Sequence, residues 1–385
     1  MFPATRAEAF QRLEEFLPFA GKAYASRRNF HGDTTSRLSP AIRRKLLSEA
    51  EVCARVLSAH GHVRAEKFVQ EVCWRTYWVG WLQQRPEIWG RYRAELGHLQ
   101  GRDRAFPGLS QAETGQTGID FFDDAARQLV KSGWLHNHVR MNFASIWVFT
   151  LGLPWQLGAD FFYRHLLDAC PAANTLSWRW VAGLQTPGKT YLARAETLRE
   201  MSGGRFRLEV PLAREARAIP MDVIPPARAM APAQMPEQGL RTGLFLTTAD
   251  LSVETQALPP LVAVAATSRI GGRPAALKRA HAETALADGL ARAAALAGVA
   301  AERLDEDMPV EAMRDWAARH RLRQVVTGEA PVGPEADRLD VLAEALAPDG
   351  VRLVRVRRRW DDMAWPMASK GFFAFKAGIP KLVAG

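Results

Sequence analysis

"DFFYRHLLDACPAANTLSWRWVAG", Asp160 to Gly183, decides how the chain is read. Its core, "DACPAANTLSWRW" from Asp168 to Trp180, holds an acid, a thiol, a carboxamide and two indoles. A folding core rarely needs Trp, Arg and Trp in succession, so a flat, partly polar ligand against this segment is one reading. The segment lies in a Trp-rich half: nine of the twelve tryptophans come at or before Trp180.

From Pro3 to about Tyr191 apolar residues recur at three and four, as in "RAEKFVQEVCWRTYWVGWLQQ", "DFFDDAARQLVKSGW", "GADFFYRHLLDAC" and "PAIRRKLLSEAEVCARVLSAHG". That spacing predicts an all-helical domain. "AREARAIPMDVIPPARAMAPAQMPEQG", Ala213 to Gly239, is rich in Pro and Ala and reads as an extended linker. Beyond it, apolar strands ("TGLFLTT", "PLVAVAA", "RQVVTG", "VRLVRVR") alternate with amphipathic helices ("PAALKRAHAETALADGLARAAALAG", "VEAMRDWAARH", "ADRLDVLAEALAPDG"). The alternation predicts a parallel, doubly wound α/β sheet. The expected class is therefore multidomain, α plus α/β. Residues 1–208 form the helical domain, 209–240 the linker and 241–385 the smaller Rossmann-like domain. "TTADLS" after the first strand is not GxGxxG, so a nucleotide fingerprint is not supported there.

With 385 residues, 48% apolar and 24% charged, the composition is that of a soluble globular protein with room for two cores. "MNFASIWVFTLGL", Met141 to Leu153, is too short to span a bilayer. "MFPATRAEAF" has no apolar signal core, so a cytoplasmic protein without a membrane partner is expected. Cys53, Cys73 and Cys170 form no CxxC pair, which argues against disulfides and a structural metal. The net charge of +10 favours a polyanionic partner, with solubility alone as the plainer reading.

Three further stretches carry chemistry. "DTTSRLSP", Asp33 to Pro40, sets hydroxyls before a helix that opens at Pro40. This is either a phosphate cradle with Arg37 beside it or ordinary N-capping. In "EVCWRTYW", Glu71, Trp74, Arg75 and Trp78 share one helical face. Such a face suits a cavity where an aromatic stacks and an acid accepts hydrogen bonds, or a Trp-rich interior. In "GWLHNHVRM", Asn137, Arg140 and Met141 share a face, and a buried Arg140 needs an acid or a phosphate. His136 and His138 lack a third ligand at metal spacing, so no metal is assigned.

In this order, "TSRLSP", "EVCWRTYW", "DDAARQLVKSGWLHNHVRM" and "DFFYRHLLDACPAANTLSWRWVAG" resemble the flavin-binding helical domain of the photolyase/cryptochrome family, from about Tyr24 to Tyr191. The resemblance implies FAD bent inside the helical bundle. It places Tyr24, Thr35, Ser36, Arg37, Leu38 and Ser39 at the pyrophosphate, with Phe68 and Arg75 also in the cofactor site. Arg140 and Asp168 match an ion pair beside the isoalloxazine, Cys170 lies close to the flavin, and Asn174 faces flavin N5, where a carboxamide favours the reduced form. Glu71, Trp74, Asn137, Met141 and Trp180 match a pocket for a flipped pyrimidine dimer. Trp178 and Trp155 match the first two steps of an electron-transfer chain.

The implied function is a light-driven, FAD-dependent DNA photolyase. This lyase splits UV-induced pyrimidine dimers by electron transfer from reduced flavin and works as a monomer on UV-damaged DNA. The alternative is a cryptochrome-like blue-light photoreceptor without repair. The chain departs from the family in several places. Cys170 replaces an acid, Leu176 and Ser177 replace glycines, and His138 stands where many repair enzymes have an arginine on DNA phosphate. The usual third electron-transfer position falls in "QGRDRAFPG", which has no Trp, with Trp147 and Tyr163 as candidate substitutes. The α/β domain follows the helical one instead of preceding it, with "GLFLTTADLS" and "GFFAFKAGIP" resembling the beginning and end of an antenna domain. The antenna chromophore stays unassigned.

Overall fold

The computed structural model describes residues 2–30, 34–102, 105–186, 188–267, 270–271, 273–306 and 308–384. Asp33 and two residues of "QGRDRAFPG" lie outside them. Helices fill the first half. Thr5 opens Arg6–Phe16 with a reciprocal cap: its side chain accepts from the Glu8 backbone N–H while Glu8 reaches back. Ser48 and Glu51 do the same for Glu49–Gln83, whose C-terminal part carries the Glu71 to Trp78 face.

The sequence reads Pro40 to Gly61 as one helix, and the structure breaks it twice. Ser39–Arg43 ends before Lys45, which takes a left-handed φ of 55°. Gly61 then kinks Glu49–Gln83 at φ 70° and ψ 168°, a conformation that side chains resist. Similarly, "GADFFYRHLLDAC" stays helical only to His165, and Leu166 is extended. That extension swings Asp168 away from the helix Trp155–His165 and toward the start of Pro171–Val181. Asn137–Ser145 runs into a single π-helical turn, Ile146–Thr150, a geometry common near functional sites.

The second half holds a five-stranded parallel sheet: β1 (Thr242–Leu246), β2 (Leu261–Ala266), β3 (Ala301–Arg303), β4 (Gln324–Gly328) and β5 (Arg352–Val356). Its order is β3-β2-β1-β4-β5, so the connections diverge to either side of β1. β1 and β4 are buried throughout, which explains their unbroken apolar runs. β3, three residues at the edge, has no apolar run and is missing from the sequence reading.

One continuous core joins the helices to one side of the sheet. A smaller core around Phe245, Trp316 and Leu342 fills the other side. The C-terminal segment closes back on Glu49–Gln83. Trp360 Nε1 donates to Thr76 Oγ1 (3.0 Å), Gln84 Nε2 to the Trp365 carbonyl (2.7 Å) and Tyr77 OH to the Lys370 carbonyl (3.1 Å). The Pro/Ala-rich stretch has no helix or strand among its described residues, yet it is tied down. Asp222 accepts from Arg179 (2.7 Å), and the Val223 carbonyl accepts from Arg91 (2.6 Å).

Candidate functional site

A cleft of about 550 Å³ opens in the helical half, a volume suited to a large organic ligand. Its floor is an ion pair. Arg140 grips Asp168 with both arms, Nη1 to Oδ1 at 3.0 Å and Nη2 to Oδ2 at 2.9 Å, while its Nε donates to the Leu135 carbonyl (2.8 Å). The Asp168 side chain is 1% exposed and that of Arg140 23%, so the guanidinium presents its edge to the cleft. Burial alone would raise the Asp168 pKa. Arg140, Arg75 and the Ser39 hydroxyl outweigh it, so the carboxyl lies below the usual range and stays charged. Arg75 also donates to the Asp168 carbonyl from two nitrogens, each at 3.4 Å.

The wall is the helix Pro171–Val181, where Asn174, Ser177, Trp178 and Val181 recur at three and four and line the cleft together. Asn174 donates one amide N–H to the Ala159 carbonyl (2.8 Å), which fixes the carboxamide and leaves its oxygen and second N–H for other partners. Trp178 leans so closely on Trp155–His165 that a side chain at Gly158 would collide with it. Arg179 turns away from the cleft to Asp222, which accounts for an arginine between two cleft tryptophans.

The opposite edge is the loop before Ser39. Arg12 donates to the carbonyls of Thr35 (3.2 Å) and Ser36 (2.9 Å), and Ser36 Oγ accepts from the Leu38 N–H (3.3 Å). Arg37 has a left-handed φ of 55°. Tyr24 packs edge-on to Phe68 at 5.1 Å, and burial, with Glu71 nearby, pushes its phenol pKa up, keeping it neutral. At the mouth, Glu71 pairs with Lys67 (2.9 Å) and Arg28 (3.5 Å). Trp74 stacks on Phe372, centroids 3.5 Å apart and planes 9° apart. Trp180 stacks on Tyr191 at 6.0 Å. Asn137 contacts Met141 Sδ at 3.8 Å.

Of the residues singled out in the sequence, Tyr24, Thr35, Ser36, Arg37, Ser39, Phe68, Glu71, Trp74, Arg75, Asn137, Arg140, Met141, Asp168, Asn174, Trp178 and Trp180 all line this one cleft. Three do not. Leu38 is fully buried in the core and anchors the loop from behind. Cys170 caps Pro171–Val181, accepting from the Ala173 N–H (3.3 Å), and faces the seam with the sheet. Trp155 stacks on Tyr92 at 5.6 Å, outside the cleft. Trp178 has Trp147 at 6.1 Å, whereas Tyr163 lies beside Trp89 at 6.2 Å. His138, named above as a departure from an arginine, is pushed below its usual pKa by burial and is neutral near pH 7.

Sequence reasoning missed Arg28 and Trp134 in the lining and Phe372 behind Trp74. Trp134, with Arg37 over its ring at 5.8 Å, was legible as one more Trp beside "LHNH". Nothing local marks Phe372, which comes from the far end of the chain.

The lining fits a flavin nucleotide by its own chemistry. Two buried polar atoms on it, Thr35 Oγ1 and Trp178 Nε1, have no protein partner among the described residues and await one from a ligand. The aromatic walls suit a planar ring, and the cationic edge of Arg140 suits its polar rim. Among the described residues no group of three His, Cys, Asp or Glu is placed to hold a metal.

An all-helical cleft with an Arg–Asp floor, coupled to a parallel α/β unit, defines a class. Residues 68–201 match the family described as the FAD binding domain of DNA photolyase, about a third of the chain. Among curated relatives, the deoxyribodipyrimidine photo-lyase of Streptomyces griseus is 38% identical over 156 residues, covering 40% of this chain and 33% of that protein. The deoxyribodipyrimidine photo-lyase of Alkalihalophilus pseudofirmus is 33% identical over 190 residues, covering 48% and 39%. The match thus spans well under half of either relative. A bacterial class III photolyase structure from Agrobacterium tumefaciens aligns with 52% of this chain and 43% of that one, at 27% identity and a TM-score of 0.44.

Proposed function

We propose that the chain is a light-driven, FAD-dependent DNA photolyase for UV-induced pyrimidine dimers. The observation that carries the reading is the single cleft that brings the Arg140–Asp168 floor together with Glu71 and Trp74. When bound, reduced FAD supplies the photoexcited electron that opens the cyclobutane ring. The chain's residues bind and orient. Thr35, Ser36 and Ser39 offer hydroxyls to phosphate, and Arg37 and Arg75 add charge. Arg140, oriented by Asp168, fixes the ring edge. Asn174 offers an acceptor that its bond to Ala159 prevents from turning. Glu71 accepts N–H groups of an extruded dimer, whose bases lie on Trp74 and Trp180 beside Asn137 and Met141. Trp178 and Trp155 serve as the first two steps of a chain that would supply electrons to reduce the flavin, with Trp147 or Tyr163 as candidates for the third. Leu38 and Cys170 act from behind the cleft rather than on its surface.

The same proposal divides the chain into a helical FAD unit (1–208), a linker (209–240) and an α/β unit (241–385), working as a cytoplasmic monomer on UV-damaged DNA. No helix among the described residues is long and apolar enough to cross a membrane. A second reading, a cryptochrome-like photoreceptor, is favoured by one observation: His138, neutral near pH 7, offers DNA phosphate no charge. The test is purified protein with bound flavin, dimer-containing single- and double-stranded DNA, and blue light. Glu71→Gln lowers repair sharply with flavin retained; joint loss of both contradicts the pocket assignment.

A further inference from the structure

On the far side of the cleft floor, the seam between the helices and the sheet encloses a second, much smaller cavity. About 60 Å³ of it is open to water-sized occupants, space for a few waters or one compact ion and far too little for a second chromophore. Arg44 and Lys278 both line it. Arg44 follows the helix Ser39–Arg43, is 2% exposed, and forms no ion pair among the described residues. Its Nε has no partner among the described residues. Lys278, 3% exposed, donates to the Tyr163 carbonyl (2.5 Å) and sits 4.2 Å over the Tyr163 ring, again with no carboxylate paired to it. His281, three residues further along Ala276–Ala297 and so on the same face, leaves Nδ1 buried without a partner among the described residues.

The acids nearby are already engaged. Glu335 pairs with Arg43 (3.5 Å) and accepts from Thr248 (2.6 Å); Asp168 is held by Arg140; Asp250 is held by Arg358 (2.6 Å); Asp361 pairs with Lys45 (3.3 Å). Glu49 pairs with Lys45 and Glu329 with Arg357 (3.5 Å), so among the described residues no carboxylate is paired to either Arg44 or Lys278, although Glu335 and Asp168 lie near enough to oppose their pKa shifts. Burial drives the Lys278 pKa down to about 7, and Arg44 and Arg43 push it the same way. Burial likewise takes Arg44 to about 10, with Arg43 adding to the shift. Water could satisfy the N–H groups but not the charge, and an uncompensated buried cation is costly.

We infer that this seam binds one small inorganic anion between Arg44 and Lys278, which neutralises the joint between the helical part and the sheet. The anion is compact, singly or doubly charged, and accepts from guanidinium and ammonium donors; chloride and inorganic phosphate are the probes that separate a halide site from an oxyanion site. The inference is independent of the flavin reading, because none of the cleft's proposed contacts is used.

The test is thermal unfolding of the full chain at constant ionic strength, with sodium gluconate replaced stepwise by chloride or by phosphate. The expected result is a saturable rise in midpoint of about 2–4 °C with one of the two anions. Arg44→Met, folded by circular dichroism, shows no such rise and in gluconate melts at or above the wild-type midpoint. Lys278→Met behaves the same way and carries the test should Arg44→Met fail to fold. A wild-type midpoint unresponsive to both anions, or an equal rise in either variant, overturns the inference.

Discussion

Asp168 does two jobs from one position: it charges the floor of the cleft and satisfies Arg140 at the same time. Asp168→Asn leaves a largely buried guanidinium with half its partner, at a cost of about 3–5 kcal/mol, and flavin retention should fall with stability in equilibrium dialysis and melting curves. The pH behaviour has a definite sign. A carboxyl whose folded pKa lies below its unfolded value contributes stability above the unfolded carboxylate range and loses it as pH falls through the folded value. Acid titration of the holoprotein should therefore retain flavin through the ordinary carboxylate range and release it only below that range. Lys278 gives a slope of the same sign at higher pH. Its pKa drops from 10.5 to about 7 under burial and the charges of Arg44 and Arg43, so the unfolded chain binds more protons between those values. Without added small anions, stability rises from pH 7 toward 10, and Lys278→Met flattens that slope in pH-resolved melts. At this scale most of the site was legible. Helical spacing gave the shared faces around Glu71 and Arg140, whereas Asn174, Trp178 and the Arg140–Asp168 pair came from what the family resemblance implies. Cys170 was not, because its role as a helix cap depends on Leu166 leaving the helical path, which no residue at that point announces.

Among the elements, the short C-terminal helix Phe372–Lys376 backs the mouth of the cleft without lining it. Phe372 covers one face of Trp74, and Phe375 is fully buried beside Tyr77. Phe372→Ala removes a stacked ring worth about 1 kcal/mol beyond its buried area and leaves a cavity, for a total of about 3 kcal/mol. Steady-state repair kinetics should show KM for dimer DNA rising more than kcat falls, with flavin content unchanged; Phe372→Leu should recover part of the loss. The break at Gly61 gives another check. Gly61→Ala, at φ 70° and ψ 168°, should destabilise by more than about 1 kcal/mol in denaturant unfolding. The sequence carried part of this. "SEAE" from Ser48 is a reciprocal cap in plain view, so the helix start at Glu49 was readable, whereas continuous apolar periodicity masked the stop at Arg43. Likewise β1, β2, β4 and β5 follow from apolar runs, and β3 escaped because an edge strand needs none.

Across the whole molecule, the order of parts has a structural consequence. The helical part comes first, and the chain then runs along its surface through the Asp222 and Val223 contacts before it builds the sheet. The final segment returns to the long helix through Trp360, Trp365 and Lys370. The wall behind Trp74 is thus supplied by Phe372, far along the chain from the long helix that carries Trp74. The net charge of +10, a weak signal of a polyanionic partner when read alone, now accompanies a cleft with Arg28, Arg37 and Lys67 at or near its rim. The central claim is tested most directly by one measurement: loss of cyclobutane dimers from an oligonucleotide under blue light, with purified, flavin-loaded protein and a dark control. The account predicts light-dependent loss that Glu71→Gln sharply slows while flavin absorbance is kept. Bound flavin with no light-dependent loss of dimers would contradict it.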